Sequence, residues 1–453
     1  MRLDRFDLAV WGVLALIGVA LAGVLAMNVW AGARIVGVHP EPNGLAGAKG
    51  RLGIEFAQPM NQASVESRFT IAPPINGSFF WKDKTMWFTP GEPFQIGVTY
   101  TARLASGALS ESGQTVKEDV VWQFTVRAPL VIYLSPAFPP HELWATSIGG
   151  APKQITNTGG DIYDFAVSPD GEQIAYSLPN ESGGFDLWIV HRDGSTSQRV
   201  VDCAADRCTV PDWSPDGSRL AFSRENAGIA PGAPNGPPRA WTLDLAAGES
   251  APVYQDSQVL GYDPSWSPDG SRLAAWDGSA GGIRVVDLET QDGMILKTQS
   301  GAVGAWSPDG KKMLYNDLRV AGEQPAVNML LADFETKQIA NAFEDAGLAH
   351  VDYSAPAWSP DGAWIALAVR TDTSGPGGEL WVMRPDGSEG RIVADDPQYT
   401  YGAYRWDAWS GSLLFQRFEL GTPFAKPELM IWSLADNSTQ LIAQDASLPA
   451  WLP

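Results

Sequence analysis

The sequence predicts an all-β protein, in which a seven-bladed β-propeller follows a β-sandwich and one N-terminal transmembrane helix. Three observations lead to this prediction. A hairpin motif recurs through the C-terminal two thirds of the chain. Short apolar runs of alternating polarity fill the segment before it. Near the start lies an uncharged apolar run that is long enough to cross a bilayer.

Residues 8–30 are the predicted membrane segment. They contain no charged residue, and about 20 apolar residues suffice to span a bilayer. A cleavable signal peptide is the alternative, because residues 31–33 (AGA) resemble a small-residue cleavage site. The apolar run is longer than that of a usual signal peptide, so an uncleaved anchor is favoured. Arg2 and Arg5 before the run and Arg34 after it give no decisive charge difference.

Residues 35–128 form the next predicted domain. Their apolar positions alternate within short segments, which Pro, Gly and Asn clusters separate. About seven such strands in roughly a hundred residues are typical of a β-sandwich.

Four motifs in this segment resemble the bacterial Ig-like domain of surface-layer-associated proteins. They are FAQPMN at 56–61, TPG at 89–91, VTY at 98–100 and WQFTV at 122–126. The resemblance implies a spacer or adhesive module outside the cytoplasm. It therefore favours a topology with the short N-terminus inside and both β domains outside.

The recurring hairpin is built on the tetrapeptide Ser267-Pro268-Asp269-Gly270 and its equivalents. Pro presets φ at the second turn position, Asp suits the third, and Gly accepts the left-handed conformation that follows a type I turn. Turn chemistry explains the repeated aspartates better than metal binding or catalysis does. These structural turn residues are Asp170, Asp216, Asp269, Asp309 and Asp361.

The hairpin copies recur at a period typical of repeat architectures. They begin at 167, 213, 266, 306, 358 and 406, and a last fragment begins at 451, so successive starts are 40 to 53 residues apart. Two copies depart from the pattern. Val167 replaces the usual Trp, and the copy at Trp406 is expected to lack the turn, so distortion is expected near both hairpins.

Each repeat contains four apolar runs, which is the signature of a propeller blade. The first set lacks an innermost strand, and residues 448–452 fit this vacancy, so seven blades are predicted to close over residues 130–453. The WSPDG core resembles the TolB-like propeller family. That resemblance is specific for the fold and implies little about activity.

Charge and cysteine content restrict the partners and the compartment. The net charge is −21, and residues 1–128 are nearly neutral, so the propeller holds the acidic excess. A nucleic-acid partner is therefore excluded. The two cysteines, Cys203 and Cys208, lie close together, and in an exported chain they favour a disulfide over free thiols.

The sequence shows no motif of a known catalytic class. It contains four histidines and no nucleophile elbow, zinc-protease helix or phosphate-binding loop. No cofactor and no metal site are predicted, and the protein is not expected to be an enzyme.

A binding role is predicted for the loops that enter the innermost strands, because their polar and aromatic residues would converge at one mouth of the propeller. The candidate residues are Asp164, Tyr262, Asp263, Asp352, Tyr353 and Tyr404. The predicted function is a membrane-anchored, extracytoplasmic platform that binds an envelope protein or a glycan. The alternatives are a carbohydrate-active or peptidase-like envelope enzyme and a purely structural envelope protein.

Overall fold

The computed structural model describes residues 32–230, 232–321, 324–343, 352–371 and 376–453. The predicted membrane segment at 8–30 lies outside these residues. Within them, no helix is long and apolar enough to span a bilayer. The chain divides into two compact units between Ala128 and Pro129.

The first unit contains two four-stranded sheets that enclose one apolar core. In spatial order, the first sheet consists of β1 (Ile35–His39), β3 (Leu52–Phe56), β6 (Thr85–Pro90) and β5 (Gly77–Lys82). The second sheet consists of β2 (Gly44–Ala46), β8 (Val120–Val126), β7 (Thr99–Leu104) and β4 (Phe69–Ala72).

Alternation along the strands of this unit separates core from solvent. Leu52, Ile54 and Phe56 are buried in the shared core, whereas the residues between them face outward. A short helix, α1 (Gln62–Glu66), begins at Asn61, whose side chain accepts the Ser64 N–H at 2.9 Å.

The second unit contains seven four-stranded antiparallel sets in its described part, here named sets 1 to 7. Set 1 consists, in spatial order, of β36 (Ser447–Leu452), β9 (Leu130–Ser135), β10 (Glu142–Thr146) and β11 (Lys153–Gln154). Set 2 consists of β12 (Phe165–Val167), β13 (Gln173–Pro179), β14 (Phe185–His191) and β15 (Ser197–Val201). Set 3 consists of β16 (Arg207–Trp213), β17 (Arg219–Glu225), β18 (Arg239–Asp244) and β19 (Glu249–Pro252). One parallel bridge from Phe185 to Arg207 joins sets 2 and 3.

The remaining sets follow the same meander order. Set 4 consists of β20 (Tyr262–Trp266), β21 (Arg272–Asp277), β22 (Gly282–Asp287) and β23 (Gly293–Lys297). Set 5 consists of β24 (Ala305–Trp306), β25 (Lys312–Ala321), β26 (Gln324–Asp333) and β27 (Gln338–Asn341). Set 6 consists of β28 (Asp352–Trp358), β29 (Ile365–Arg370), β30 (Glu379–Met383) and β31 (Arg391–Ala394). Set 7 consists of β32 (Tyr399–Trp406), β33 (Ser412–Glu419), β34 (Glu428–Ser433) and β35 (Ser438–Gln444).

The sets pack in cyclic order, and a buried apolar cluster lies between each set and the next. Set 1 is completed by β36, which pairs antiparallel with β9 and places Trp451 opposite Val131. The Trp451 indole donates to the Arg405 carbonyl of set 7 at 3.1 Å. β36 thus pairs with the edge of β9, and packing of set 7 on set 1 closes the ring.

The SPDG turns owe their geometry to a repeated network of hydrogen bonds. In the Trp266 copy, the Ser267 hydroxyl donates to the Asp269 carboxylate at 2.5 Å and accepts the Arg272 N–H at 2.9 Å. The same carboxylate oxygen accepts the Ser271 N–H at 3.1 Å, and Gly270 takes a φ of 74°. Equivalent Ser–Asp bonds occur at Asp170, Asp216, Asp309 and Asp361.

The expectation that the Trp406 copy has lost its turn is wrong. The Asp407 N–H donates to the Ser412 carbonyl at 2.9 Å, as in the intact copies. The Asp407 carboxylate accepts the Trp409 and Gly411 N–H groups, and Ser410 takes the left-handed conformation with a φ of 60°. One aspartate therefore replaces the usual Ser and Asp.

Cys203 and Cys208 form a disulfide in the loop that leads into set 3, with 6.3 Å between their Cα atoms. The buried Asp186 carboxylate accepts the Cys203 N–H at 2.9 Å. The disulfide thus closes the loop, and the hydrogen bond to Asp186 attaches the loop to set 2.

Candidate functional site

The innermost strands contain a repeated backbone irregularity close to the centre of the ring. Five of them shift register where one residue takes a left-handed φ of 50–54°, three positions before the repeat tryptophan. None of the five is glycine: they are Val210, Asp263, Ala355, Ala403 and Leu448. Left-handed backbone costs such residues roughly 1–2 kcal/mol each, and strain of this kind is concentrated at functional sites.

Asp263 is the polar member of this group. Its N–H donates to the Ser223 hydroxyl of set 3 at 3.0 Å, which fixes the bulge. Its side chain is half-buried, and the nearest charge that acts on it in the described part of the chain is Arg405. Burial raises the pKa of Asp263, and the positive charge of Arg405 opposes that rise.

Two further carboxylates cap the backbone of the neighbouring set. Asp164 in set 2 accepts the Val210 N–H at 2.6 Å and a hydrogen bond from the Ser177 hydroxyl. Asp212 in set 3 accepts the Trp266 N–H at 2.8 Å. Burial raises the pKa of each carboxyl to about 7 against these hydrogen bonds, and the charge of Asp263 adds to the rise.

Arg405 contributes the opposite charge from set 7. One of its guanidinium nitrogens donates to the Tyr404 carbonyl at 2.9 Å. Burial lowers the pKa of Arg405, and the negative charges of Asp263 and Asp212 oppose this only in part. Water still reaches the side chain, which is exposed. Among the ion pairs of the described residues none includes Arg405.

Asp164, Asp212, Asp263 and Arg405 together are named the central cluster. They come from four sets, and charge–charge interaction links Asp263 to each of the other three and Asp212 to Arg405. The cluster thus combines three carboxyl groups with one guanidinium. The cluster can therefore bind a cationic group at its carboxylates while Arg405 binds an acceptor oxygen.

Aromatic side chains lie next to the central cluster. Tyr163 precedes Asp164, is 46% exposed and packs edge-on against Phe185 at 5.8 Å. The Arg207 guanidinium lies over the Phe185 ring at 4.8 Å, and its buried Nε has no partner among the described residues. Burial and the neighbouring Tyr163 both raise the pKa of Tyr262. These side chains form a rim that could hold a polypeptide segment.

The structure brings together three of the six predicted binding residues: Asp164, Tyr262 and Asp263. Asp352 instead accepts the Val327 N–H of set 5 at 2.8 Å. Tyr353 is only 6% exposed and packs against Phe343. Tyr404 is only 3% exposed, and its hydroxyl donates to the Tyr401 carbonyl. These two tyrosines lie in the packing between sets and not at an opening.

Sequence reasoning missed Asp212 and Arg405, although the repeat contains a signal for them. Each stands directly before a repeat tryptophan, a position that holds only Ala or Ser in the other copies. The central aspartates Asp164 and Asp263 stand three positions before the repeat Trp or its Val167 equivalent. Alignment on the tryptophan would have marked these two positions of the repeat, but the register shift that lies between them in sets 3, 4 and 7 hides which face each side chain takes.

Comparison with known proteins identifies the first unit. Residues 32–126 match the family model described as bacterial Ig-like domain. The unit is a bacterial Ig-like domain. The family predicted from the four short motifs of this segment is thereby confirmed.

The solved structures similar to this chain include TolB proteins from two bacteria. A putative TolB from Agrobacterium tumefaciens superposes with a TM-score of 0.41 at 18% identity, over 55% of this chain and 84% of that one. Prolyl endopeptidases superpose with a TM-score of 0.51 at 14% identity, over 78% of this chain and 49% of the other. At such identities the likeness concerns the fold alone.

Curated relatives are similar in sequence over about half of this chain. The uncharacterized protein Atu1656 of Agrobacterium fabrum is 28% identical over 207 residues. This match covers 44% of the present chain and 61% of Atu1656. The chain therefore spans less than two thirds of this relative and about half of the prolyl endopeptidases.

His191 lies in an exposed turn with a serine and two carboxylates beside it. Its Nδ1 lies 2.6 Å from Asp193 and 3.5 Å from the Ser195 hydroxyl, and its Nε2 lies 3.6 Å from Glu172. In a catalytic triad, the serine and the carboxylate are hydrogen-bonded to opposite ring nitrogens. Here Asp193 and Ser195 approach the same nitrogen, and Glu172 lies beyond hydrogen-bond distance of the other.

Proposed function

We propose that the chain is a non-catalytic binding platform, in which the seven sets are the blades of a seven-bladed TolB-like propeller. The observation that supports this most directly is the pair formed by Asp263 and Arg405. Each of the two charges acts on the pKa of the other, and among the described residues no ion pair or direct hydrogen bond joins the two side chains. A half-buried carboxylate without a direct hydrogen-bond donor costs the fold free energy, so a cationic ligand for Asp263 would explain the arrangement.

The central cluster is suited to a polypeptide segment. Its carboxylates outnumber its guanidinium by three to one, so a lysine, an arginine or a chain N-terminus would be attracted. Arg405 would then bind a backbone carbonyl or a carboxylate of the same segment. Tyr163 and Tyr262 at the rim supply rigid rings, which interfaces favour.

The proposed location is the outer side of a cell membrane, with residues 8–30 as an uncleaved anchor and an envelope protein as the partner. The disulfide supports this location, because such bonds persist in oxidising compartments. Protease added to intact cells should digest both β domains. Protection of the domains until the cells are lysed would contradict the proposed orientation.

Site-specific photo-crosslinking tests the binding role. A photoreactive amino acid at position 163 reports on the rim, and one at position 335 reports on the turn face, where Glu335 pairs with Lys311. Irradiation of living cells should yield a crosslinked protein from position 163 alone. Asp263→Asn combined with Arg405→Met should remove that product, whereas the control pair Lys311→Met and Glu335→Gln should retain it.

Equal crosslinking from both positions would contradict a recognition surface at the central cluster. Retention of the product in the Asp263→Asn, Arg405→Met variant would also contradict it. Peptide or glycan cleavage by the purified chain, abolished by the same double substitution, would replace the binding role with an enzymatic one.

A further inference from the structure

A row of aromatic rings crosses the outer face of the first sheet of the Ig-like domain. Strand register places His39 opposite Gly53, Gly53 opposite Trp87 and Trp87 opposite Phe80. The four positions thus form one line across β1, β3, β6 and β5. They face away from the core, because their strand neighbours Leu52 and Met86 are buried.

Gly53 is what makes this row flat. A Cβ at this position would lie 2.7 Å from Cζ3 of the Trp87 ring, so no other residue leaves the indole its place. Trp87 stacks on His39 at 5.5 Å with 23° between the ring planes. It stacks on Phe80 at 6.4 Å with 13° between the planes. The result is a platform of three nearly parallel rings, here named the aromatic row.

Polar side chains border the aromatic row on both sides. The Arg51 guanidinium lies over the Phe80 ring at 5.0 Å. On the other side, register aligns Glu55, Thr85 and Lys82 across the same strands. Glu55 and Lys82 are exposed. Hydrogen-bond donors and acceptors of both charges therefore lie along the edges of an apolar strip.

We propose that the aromatic row binds a linear, uncharged polysaccharide. A pyranose ring has an apolar C–H face that stacks on an indole, and hydroxyl groups at its edge that reach flanking polar side chains. Neighbouring strands lie about 4.8 Å apart, and an extended β-linked glycan advances by a similar distance per sugar. Rings on successive positions of the row would therefore meet successive sugars.

Two observations favour a glycan over a nucleic acid, which could also stack on such rings. Residues 35–128 hold eight basic and eight acidic residues, so the domain offers no positive field to a polyanion. The flanking charges are also mixed in sign. This inference does not depend on the proposed function of the propeller.

Calorimetric titration of the full chain with cellohexaose and with chitohexaose tests the proposal. At least one of the two should bind, and Trp87→Ala should weaken that binding at least about tenfold, as loss of a stacking ring does. Trp87→Phe should restore most of the affinity. Phe424→Ala, which removes an 84% exposed ring from the propeller, is the matched control and should leave the affinity unchanged.

Absence of binding to both hexasaccharides would overturn the proposal, as would equal affinity in the Trp87→Ala variant with an unchanged melting temperature. If the Trp87→Ala variant is unfolded at the temperature of the titration, the Phe80→Ala variant is used in its place, and its affinity for the glycan should be several-fold weaker than that of the wild type. Tighter binding of oligothymidine than of either glycan would assign the row to nucleic acid instead.

Discussion

Aspartate occurs at two kinds of position in this propeller, and its pKa shifts in opposite directions at the two. In the SPDG turns, Asp269 receives hydrogen bonds from the Ser267 hydroxyl and from the backbone and hydroxyl of Ser271. In the centre, Asp212 receives one from the Trp266 backbone. Burial acts on both, but the donors outweigh it only in the turn, so the pKa of Asp269 is lowered and that of Asp212 is raised.

Left-handed backbone divides the two regions in the same way. The turns use glycine for it, as at Gly270, whereas the inner strands use Asp263 and Ala355. Asp269 thus has several hydrogen-bond donors and a glycine beside it, whereas Asp263 has a left-handed φ and no direct donor to its carboxylate in the described structure. Under the proposed function, the turn aspartates hold the fold and Asp263 is available to a partner.

The largest effect should come from Asp269→Ala. The substitution removes three hydrogen bonds that tie the turn, so the free energy of unfolding of the propeller should fall by about 2 kcal/mol. Denaturant unfolding monitored by tryptophan fluorescence measures it. Asp263→Ala is the matched control, since its carboxylate has no direct hydrogen-bond donor in the described structure. A larger loss at Asp263 than at Asp269 would reverse the comparison.

Gly270→Ala should have the next largest effect. The nearest atom to a Cβ there is Pro215 Cδ at 3.8 Å, so the cost is conformational and not steric. A φ of 74° costs alanine about 1–2 kcal/mol. Gly278→Ala in the same set, where φ is ordinary and the nearest atom lies 3.8 Å away, should cost nothing measurable. Equal melting temperatures of the two variants would show that the turn does not require glycine.

The turns and the ring could be predicted from the sequence because both depend on local chemistry. The residues of the SPDG tetrapeptide are sufficient to predict the chain reversal. The first repeat lacks an inner strand in the sequence, which predicts the observed pairing of β36 with β9. Asp164 and Asp263 could be named as candidates for a similar reason, since they lie where the chain enters inner strands.

Arg405 and Asp212 could not be predicted in this way, because they meet Asp263 only when sets from distant parts of the chain converge. Tyr353 and Tyr404 were misplaced because a bulge changes which face each residue of a strand presents. The left-handed residue of four of the five bulges is an apolar residue other than glycine, for example Leu448, and nothing in its type signals the conformation.

A smaller effect, of opposite sign, is expected from Ala355→Gly. Glycine relieves the left-handed strain at a φ of 50° but loses more backbone entropy on folding. The net stabilisation should be about 0.5 kcal/mol, measured as the shift in denaturant midpoint. Ala357→Gly, two residues on in the same strand, should destabilise by a similar amount. Destabilisation by both substitutions would show that the bulge stores no strain.

A difference in pH dependence is expected between Asp212→Asn and Asp269→Asn. The Asp212 carboxyl has a pKa of about 7 in the folded chain, above its value of about 4 when unfolded. The native state therefore holds the extra proton between these values, and the stability that it contributes is present below pH 4 and lost as the pH rises through 7. Asparagine can still accept the Trp266 N–H. Relative to the wild type, Asp212→Asn should accordingly gain melting temperature from pH 4 to pH 8.

For Asp269 the folded pKa is lowered, so its contribution is present above pH 4 and is lost as the pH falls through the folded pKa. Asp269→Asn should therefore lose melting temperature relative to the wild type only as the pH rises to about 4, and the difference should stay level from pH 4 to pH 8. Two difference curves with the same slope between pH 4 and pH 8 would mean that the central and turn carboxylates share one electrostatic environment, and the distinction between site and scaffold would fail.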